Sequence, residues 1–508
     1  MVEKNLLLGI DIGTSACKVA VFDLDGGVIS QATREYPVYY PGPGCVDQNP
    51  VEWWDGVCGA IKEAITSGKV DAGQIAGIGV DGQSWSAIPV DKAGNVLHNT
   101  PIWMDTRSSD ISRKVVERVG FDRIFQISGN SFEPTYSTPK ILWFKENKPE
   151  VYAKTDKFLQ SNSYIVYKLT GVMSQDVSQG YGVHSFNMKT GKWEDDFCDE
   201  LGISREKLPE IFACHQVVGE VTGSAAEQTG LKAGIPVVAG GLDACCGTLG
   251  AGVVDIGQTQ EQGGQAGGMS ICLDEALAHP KLILSFHVIP DLWLLQGGTV
   301  GGGGSIKWFR QEFGAFEDQQ GKASGQSTFK IMDDEAAAIR PGSEGVIFLP
   351  YMSGERSPLW DKDAKGVFFG LNYSKTRAHM IRSVLEGCAY ALLHNLKTAE
   401  EVGVQVDELV AMGGAANSRL WTQIKSDVTG KRIKVPTSDT ATTLGAAILA
   451  GVGTGKYGSF KEAAERTIQI TRVHEPDMKN HASYQKSYEI YIEIYEKLKD
   501  TMKKSSAL

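Results

Sequence analysis

The chain opens on two apolar strands joined by a tight polar turn. Leu6-Leu7-Leu8-Gly9-Ile10-Asp11-Ile12 runs into Gly13-Thr14-Ser15, and Lys18-Val19-Ala20-Val21-Phe22-Asp23 leaves it. A Gly-Thr-Ser turn presents backbone N–H groups and hydroxyls that can cradle phosphate oxygens. Asp11, at the end of the first strand, has the chemistry to hold a hydrated Mg²⁺ beside them. Lys18 adds a positive charge on the second strand. An ordinary hairpin turn has the same residues, so the motif alone leaves that alternative open.

Length and charge narrow the class. A chain of 508 residues has room for two or three domains, each with its own core. A net charge of −11 opposes binding to nucleic acid or to an anionic membrane surface, so any phosphates must be held by local loops, metal and single lysines. No run is long enough for a membrane span, and the N-terminus enters a strand without a signal peptide. Nine scattered Cys, with no Cys-x-x-Cys pair, suit reduced thiols in a cytoplasm. The adjacent Cys245 and Cys246 read as packed small apolar residues.

Strands and helices alternate. Residues 51–65 read as a helix opened by Asn49-Pro50, and 75–80 as a buried strand. Residues 235–241 form a further strand that ends in a glycine turn at Asp243. This alternation predicts an α/β protein. The pattern then restarts: 258–272 contains Gly263-Gly264-Gln265-Ala266-Gly267-Gly268, a second glycine hairpin. The reading is a faint internal repeat of two α/β halves, residues 1–252 and 253–508, meeting at a hinge without a low-complexity linker.

Two more glycine clusters lie in the second half. Gly301-Gly302-Gly303-Gly304-Ser305 precedes a helix expected over 306–313, whose N-terminus would offer free N–H groups to a nucleotide. Met412-Gly413-Gly414-Ala415-Ala416-Asn417-Ser418 sits between the apolar strand 409–411 and a helix from about Arg419, and its glycines would let backbone approach a purine or ribose.

Two further stretches carry a family resemblance. One is Ser137-Thr138-Pro139-Lys140-Ile141-Leu142-Trp143-Phe144-Lys145-Glu146-Asn147. The other is Gly366-Val367-Phe368-Phe369-Gly370-Leu371, followed by His379-Met380 and Ser383-Val384-Leu385-Glu386. Together with the glycine turns they make the chain resemble an FGGY-family carbohydrate kinase, nearest to the xylulokinase branch, over residues 10–451. The resemblance implies two actin-like (ribonuclease-H-like) domains with a deep cleft between them. It also implies phosphorylation of a sugar hydroxyl by ATP with Mg²⁺.

The implied roles attach to individual residues. Asp243, in Gly240-Gly241-Leu242-Asp243-Ala244, matches the catalytic aspartate, with a helix N-cap as the alternative. A carboxylate there can accept the proton of a poorly nucleophilic hydroxyl, while positioning and charge neutralisation do the rest. Gly13, Thr14, Ser15 and Lys18 match the first phosphate loop, and Asp11 and Asp243 the metal side. Gly303, Gly304 and Lys307 lie where the second domain approaches the nucleotide. Gly414, Ala415 and Asn417 match the adenosine motif.

The chain departs from its relatives in two places. After the strand, relatives carry Gln and then a Met-His or Arg-Glu pair; here Gln83 is followed by Ser84 and Trp85. A Trp offers an apolar face and one N–H donor. Trp103 and Asp105, in Trp103-Met104-Asp105-Thr106-Arg107, match a segment lining the sugar pocket, with core packing and an Asp105–Arg107 scaffold pair as the alternatives. In the second phosphate loop Gly264-Gln265-Ala266-Gly267 replaces a hydroxyl-bearing turn, and Glu261 and Gln262 stand where apolar residues are usual. A Gln amide can still donate to a phosphate oxygen.

Tyr484, Tyr488, Tyr491 and Tyr495 fall at helical spacing and read as an apolar stripe, with the tail at Lys503 and Lys504 frayed. Two functions therefore stand after the sequence: a metabolic sugar kinase, and a non-catalytic sugar-binding regulator that keeps the kinase fold. The small-molecule sugar and the oligomer stay open, a homodimer included.

Overall fold

The computed structural model describes residues 4–437 and 440–506. They fall into two compact units. The first comprises Met1–Val254, Leu273–Leu294 and Thr440–Gln469; the second comprises Asp255–Cys272, Leu295–Asp439 and Ile470–Leu508. The first unit thus draws in two segments from beyond residue 253.

The first unit is built on a mixed sheet in the order Val217–Glu220, Pro236–Val238, Ile75–Gly82, Leu6–Ile12, Ala16–Asp23, Val28–Glu35. The opening hairpin is antiparallel, and Leu6–Ile12 pairs in parallel with Ile75–Gly82. Both of these strands are buried at every position, as their apolar runs demand. Helix Pro50–Ser67 forms where its sequence signals it: Asn49 accepts a hydrogen bond from the Val51 N–H at 3.0 Å, Pro50 is pre-set for the first turn, and Trp53, Trp54, Val57 and Ile61 face the sheet core.

Helix Ala441–Gly453 belongs to this unit and packs on Leu6–Ile12, Ile75–Gly82 and helix Asp243–Gly250. Glycines make the approach close enough. A Cβ on Gly9 would strike the carbonyl of Thr443, one on Gly79 that of Ala446, and one on Gly445 that of Cys246. Cys245 and Cys246 are both buried, as expected.

The second unit repeats the topology. Its sheet runs Trp293–Thr299, Gly267–Leu273, Gln258–Gly263, Glu408–Met412, Arg432–Pro436, Ile470–His474. The glycine hairpin is antiparallel, and its first strand pairs in parallel with Glu408–Met412, as Leu6–Ile12 does with Ile75–Gly82. The tyrosine stripe lies on helix Met478–Ser505 and packs into the core of this unit, where Tyr351 Oη donates to Tyr491 Oη at 2.6 Å. The tail is ordered rather than frayed: Lys503 and Lys504 lie inside that helix, which is held down by the buried Met502. Glu386 also proves structural, accepting from Gly342 N at 3.0 Å, Ser343 Oγ at 2.7 Å and Arg382 Nε at 2.7 Å.

Candidate active site

In the first unit, sheet register gathers the acidic residues. Asp11 and Asp81 are partners on adjacent parallel strands. Asp81 is in turn the partner of Gly241, two residues before Asp243. Asp243 is the first residue of helix Asp243–Gly250; Leu242 holds the cap position, and Asp243 Oδ1 accepts from the Ala244 N–H at 2.6 Å. Burial, and then the charge of Asp11, push Asp243 up to about 7. Burial raises Asp11 as well, against the pull of Lys18 across the hairpin. Asp81 is fully buried and held well above the carboxylate range by burial and by Asp11 and Asp243. As bare carboxylates Asp11 Oδ1 and both Asp81 oxygens find no partner in the protein. A proton kept on Asp81 lets it donate to Asp11, so that Asp81 orients the outer carboxylate. The sequence signal for Asp81 was available, since it ends its strand as Asp11 does.

The turn after Asp11 is pinned from behind. Tyr36 Oη donates to the Gly13 carbonyl at 2.5 Å, Gln48 Nε2 to the Thr14 carbonyl at 2.7 Å, and Trp103 Nε1 to Thr14 Oγ1 at 2.9 Å. Ser15 and Lys18 stay exposed. Gln83 is buried and donates to Gln48 Oε1 at 2.7 Å, leaving its own Oε1 without a protein partner. Trp85 stacks on Tyr136, with ring centroids 4.2 Å apart, and meets the edge of Tyr181, on which Ser84 also bears. Its Nε1 has no partner in the protein. This wall is therefore aromatic with unclaimed polar atoms, which combines the packing and the recognition readings of Trp85.

Asp105 departs from expectation. It is fully buried, and its oxygens accept from Val46 N at 2.6 Å, Arg107 Nε at 2.8 Å and Arg107 N at 3.0 Å. Arg107 also pairs with Asp47. Fully buried and held by three N–H donors, this carboxylate is scaffold and exposes no oxygen to a sugar.

In the second unit a cavity of about 680 Å³ is lined by Gly264, Gln265, Gly303, Lys307, Gly414, Ala415 and Asn417, all picked out by sequence. Phe329, Lys330 and Asp333 of helix Thr328–Ala337 line it too, and nothing in the sequence marked them. A cavity of this size suits a nucleotide. The expected free N–H groups at the start of helix Gly303–Phe313 are not free. Gly303 N donates to the Gly264 carbonyl and Gly304 N to the Gln265 carbonyl, each at 2.8 Å. The glycines are there for contact between loops: a Cβ on Gly302 would strike the backbone of Ala266.

Comparison with known proteins agrees with this geometry. Residues 6–250 match the N-terminal domain of the FGGY family of carbohydrate kinases, and residues 274–454 its C-terminal domain. A xylulose kinase of Staphylococcus epidermidis is 31% identical over 498 residues, covering 98% of this chain and 97% of the relative. A gluconokinase of Bacillus subtilis is 29% identical over 492 residues, covering 96% and 95%. The crystal structure of a ligand-bound xylulose kinase from Lactobacillus acidophilus superposes with a TM-score of 0.89 at 26% identity, covering 98% of this chain and 99% of that one. With both domains matched in order, the chain belongs to the FGGY family of carbohydrate kinases, enzymes that phosphorylate sugars with ATP.

Proposed function

We propose that this kinase acts on a neutral ketose, xylulose or a close relative, with Asp243 as general base. The observation that carries the sugar class is the charge state of the wall around Trp85. The basic groups of this region are already engaged or neutral: Arg107 is paired with Asp47 and Asp105, Lys140 is held by three backbone carbonyls, and His184, against the Tyr136 ring, is pulled down to about 4 by burial. The carboxylate of an aldonate such as gluconate finds no cation there, whereas hydroxyls and C–H groups suit Trp85, Gln83, Ser84 and Trp103.

Asp243 accepts the hydroxyl proton as the sugar oxygen bonds to the γ-phosphorus and the bond to the ADP oxygen breaks. Residues 1–252 carry the sugar side and residues 253–508 the nucleotide. In the first half Gly13, Thr14, Ser15 and Lys18 are the phosphate-loop residues; in the second Gly264, Gln265, Gly303, Lys307, Gly414, Ala415 and Asn417 line the cavity read as the nucleotide site, and Gly304 follows Gly303 at the helix start. Asp11, with an orphaned buried oxygen, and Asp243, with one oxygen not used by the Ala244 N–H, fit a Mg²⁺ held mainly by water and phosphate. Among the described residues no three acidic, His or Cys side chains are placed to hold a metal directly, which suits that mode of binding. Mg²⁺ would neutralise phosphate charge. All nine cysteines are free, as suits a cytoplasmic enzyme; no described helix is long and apolar enough to cross a membrane.

A coupled ADP-release assay tests this with D-xylulose, D-ribulose, glycerol and gluconate. The expected result is highest kcat/KM on a ketose. Gluconate as the best substrate would overturn the charge argument.

A further inference from the structure

Lys140 is a fully buried lysine without a carboxylate partner. Its Nζ lies 2.8 Å from the Trp85 carbonyl, 2.7 Å from that of Ile102 and 2.5 Å from that of Thr135. An ammonium has three N–H donors, and here each has one acceptor. The three carbonyls belong to three separate segments. Trp85 is in the turn after the central strand, Ile102 directly precedes Trp103, and Thr135 directly precedes Tyr136, the ring on which Trp85 stacks. One side chain therefore ties together the residues that carry the aromatic wall.

The tie has something to restrain. Trp85 has φ 62°, in the left-handed region that is strained for a bulky residue and persists only when its surroundings impose it. The charged groups facing Lys140 are Asp105, Asp47 and Arg107, which are already paired with one another. Asp105 and Asp47 favour its charge, Arg107 opposes it, and all three leave its donors to the carbonyls. Burial pulls Lys140 down to about 7, while the saturated donors favour its charged form.

We propose that Lys140 is a positioning residue for sugar recognition, the tripod that fixes the turn of Ser84 and Trp85 against Trp103 and Tyr136. It touches no substrate and acts through the backbone it holds. This rests on the reading of the wall as the sugar site.

The test is Lys140→Met, assayed with D-xylulose and ATP, with ADP binding measured separately by calorimetry. The expected result is a rise in KM for D-xylulose of about tenfold or more, with the ADP Kd within twofold of wild type. In the Trp85→Gly background, where glycine adopts φ 62° without strain, Lys140→Met should raise KM by a clearly smaller factor. Lys140→Gln, which keeps two N–H donors, reads the same split if Lys140→Met is insoluble. A KM within twofold of wild type in a folded variant overturns the proposal. So does an equal loss of sugar and ADP affinity, which would mark a general loss of structure. A wild-type enzyme inactive on every sugar would defeat the proposed function and this inference with it, whereas an active wild type with an unchanged variant overturns this inference alone.

Discussion

Lys425 Nζ lies 2.5 Å from Glu261 Oε1, and both side chains are buried beside the backbone of Gly263 in the second glycine loop. This ion pair explains an acidic residue at a position where apolar ones are usual. Glu261 Oε2 and Asn395 Oδ1 have no protein partner, and both residues line a small cavity of about 10 Å³, close to the room one water needs. Removing one member strands a buried charge, so Lys425→Met or Glu261→Met alone should cost about 3–5 kcal/mol. The double variant should recover most of that. Urea unfolding decides it, and single variants as stable as wild type would mean that the pair is relaxed or hydrated.

Asp243→Asn keeps the volume of the side chain and removes proton acceptance. Turnover at saturating substrates should fall on the order of 10²-fold or more with the fold intact. A variant retaining near wild-type turnover would take Asp243 out of its proposed role.

The same carboxyl sets a pH dependence. Asp243 must be ionised to accept a proton, so kcat/KM should fall as pH drops through about 7. Stability runs the other way. The folded state holds this proton up to about 7, whereas the unfolded chain releases it near the ordinary aspartate value of 3.8. Stability without ligands should therefore decline as pH rises through that window. Melting temperatures between pH 5 and pH 8 should show a shallower slope in Asp243→Asn than in wild type. Parallel slopes would mean that the proton sits elsewhere.

Trp85 should govern the choice of sugar. Loss or exchange of a buried sugar hydrogen bond costs about 1–3 kcal/mol, roughly tenfold or more in kcat/KM. Trp85→His and Trp85→Ala should each change the ratio of D-xylulose to other ketoses by that factor. Unchanged ratios in both would reduce Trp85 to packing against Tyr136 and Tyr181.

Helix Ala441–Gly453 should tolerate no added methyl beneath it. Gly79→Ala places a Cβ against the Ala446 carbonyl, which is backbone and has nowhere to move. Overpacking of this kind typically costs about 1–3 kcal/mol, and thermal unfolding should show it. A variant that melts with wild type would show that the helix shifts freely on the sheet.

The sequence by itself determined the local pieces. A continuous apolar run that stops at Gly13-Thr14-Ser15, and the glycine cluster at Gly263-Gly264-Gln265, specify hairpins, because strand pairing across a short turn is a matter of neighbouring residues. Asn49-Pro50 specifies a helix start for the same reason; the alternation of strands and helices carried the α/β class, the second glycine hairpin the repeat, and the stretches 137–147 and 366–386 the family resemblance. Tertiary structure decided which chemistry remains available. Asp105 looked like a sugar ligand until Val46 N and Arg107 took its oxygens. The N–H groups of Gly303 and Gly304 looked free until the loop 39 residues earlier in the chain, at Gly264 and Gln265, took them. Asp81 gains its meaning from register with Asp11, and Lys140 from three carbonyls that no local pattern brings together. Hydrogen-bond and charge partners distant in sequence leave no trace in periodicity or turn chemistry, so the free or engaged state of a polar group is settled only when the chain packs.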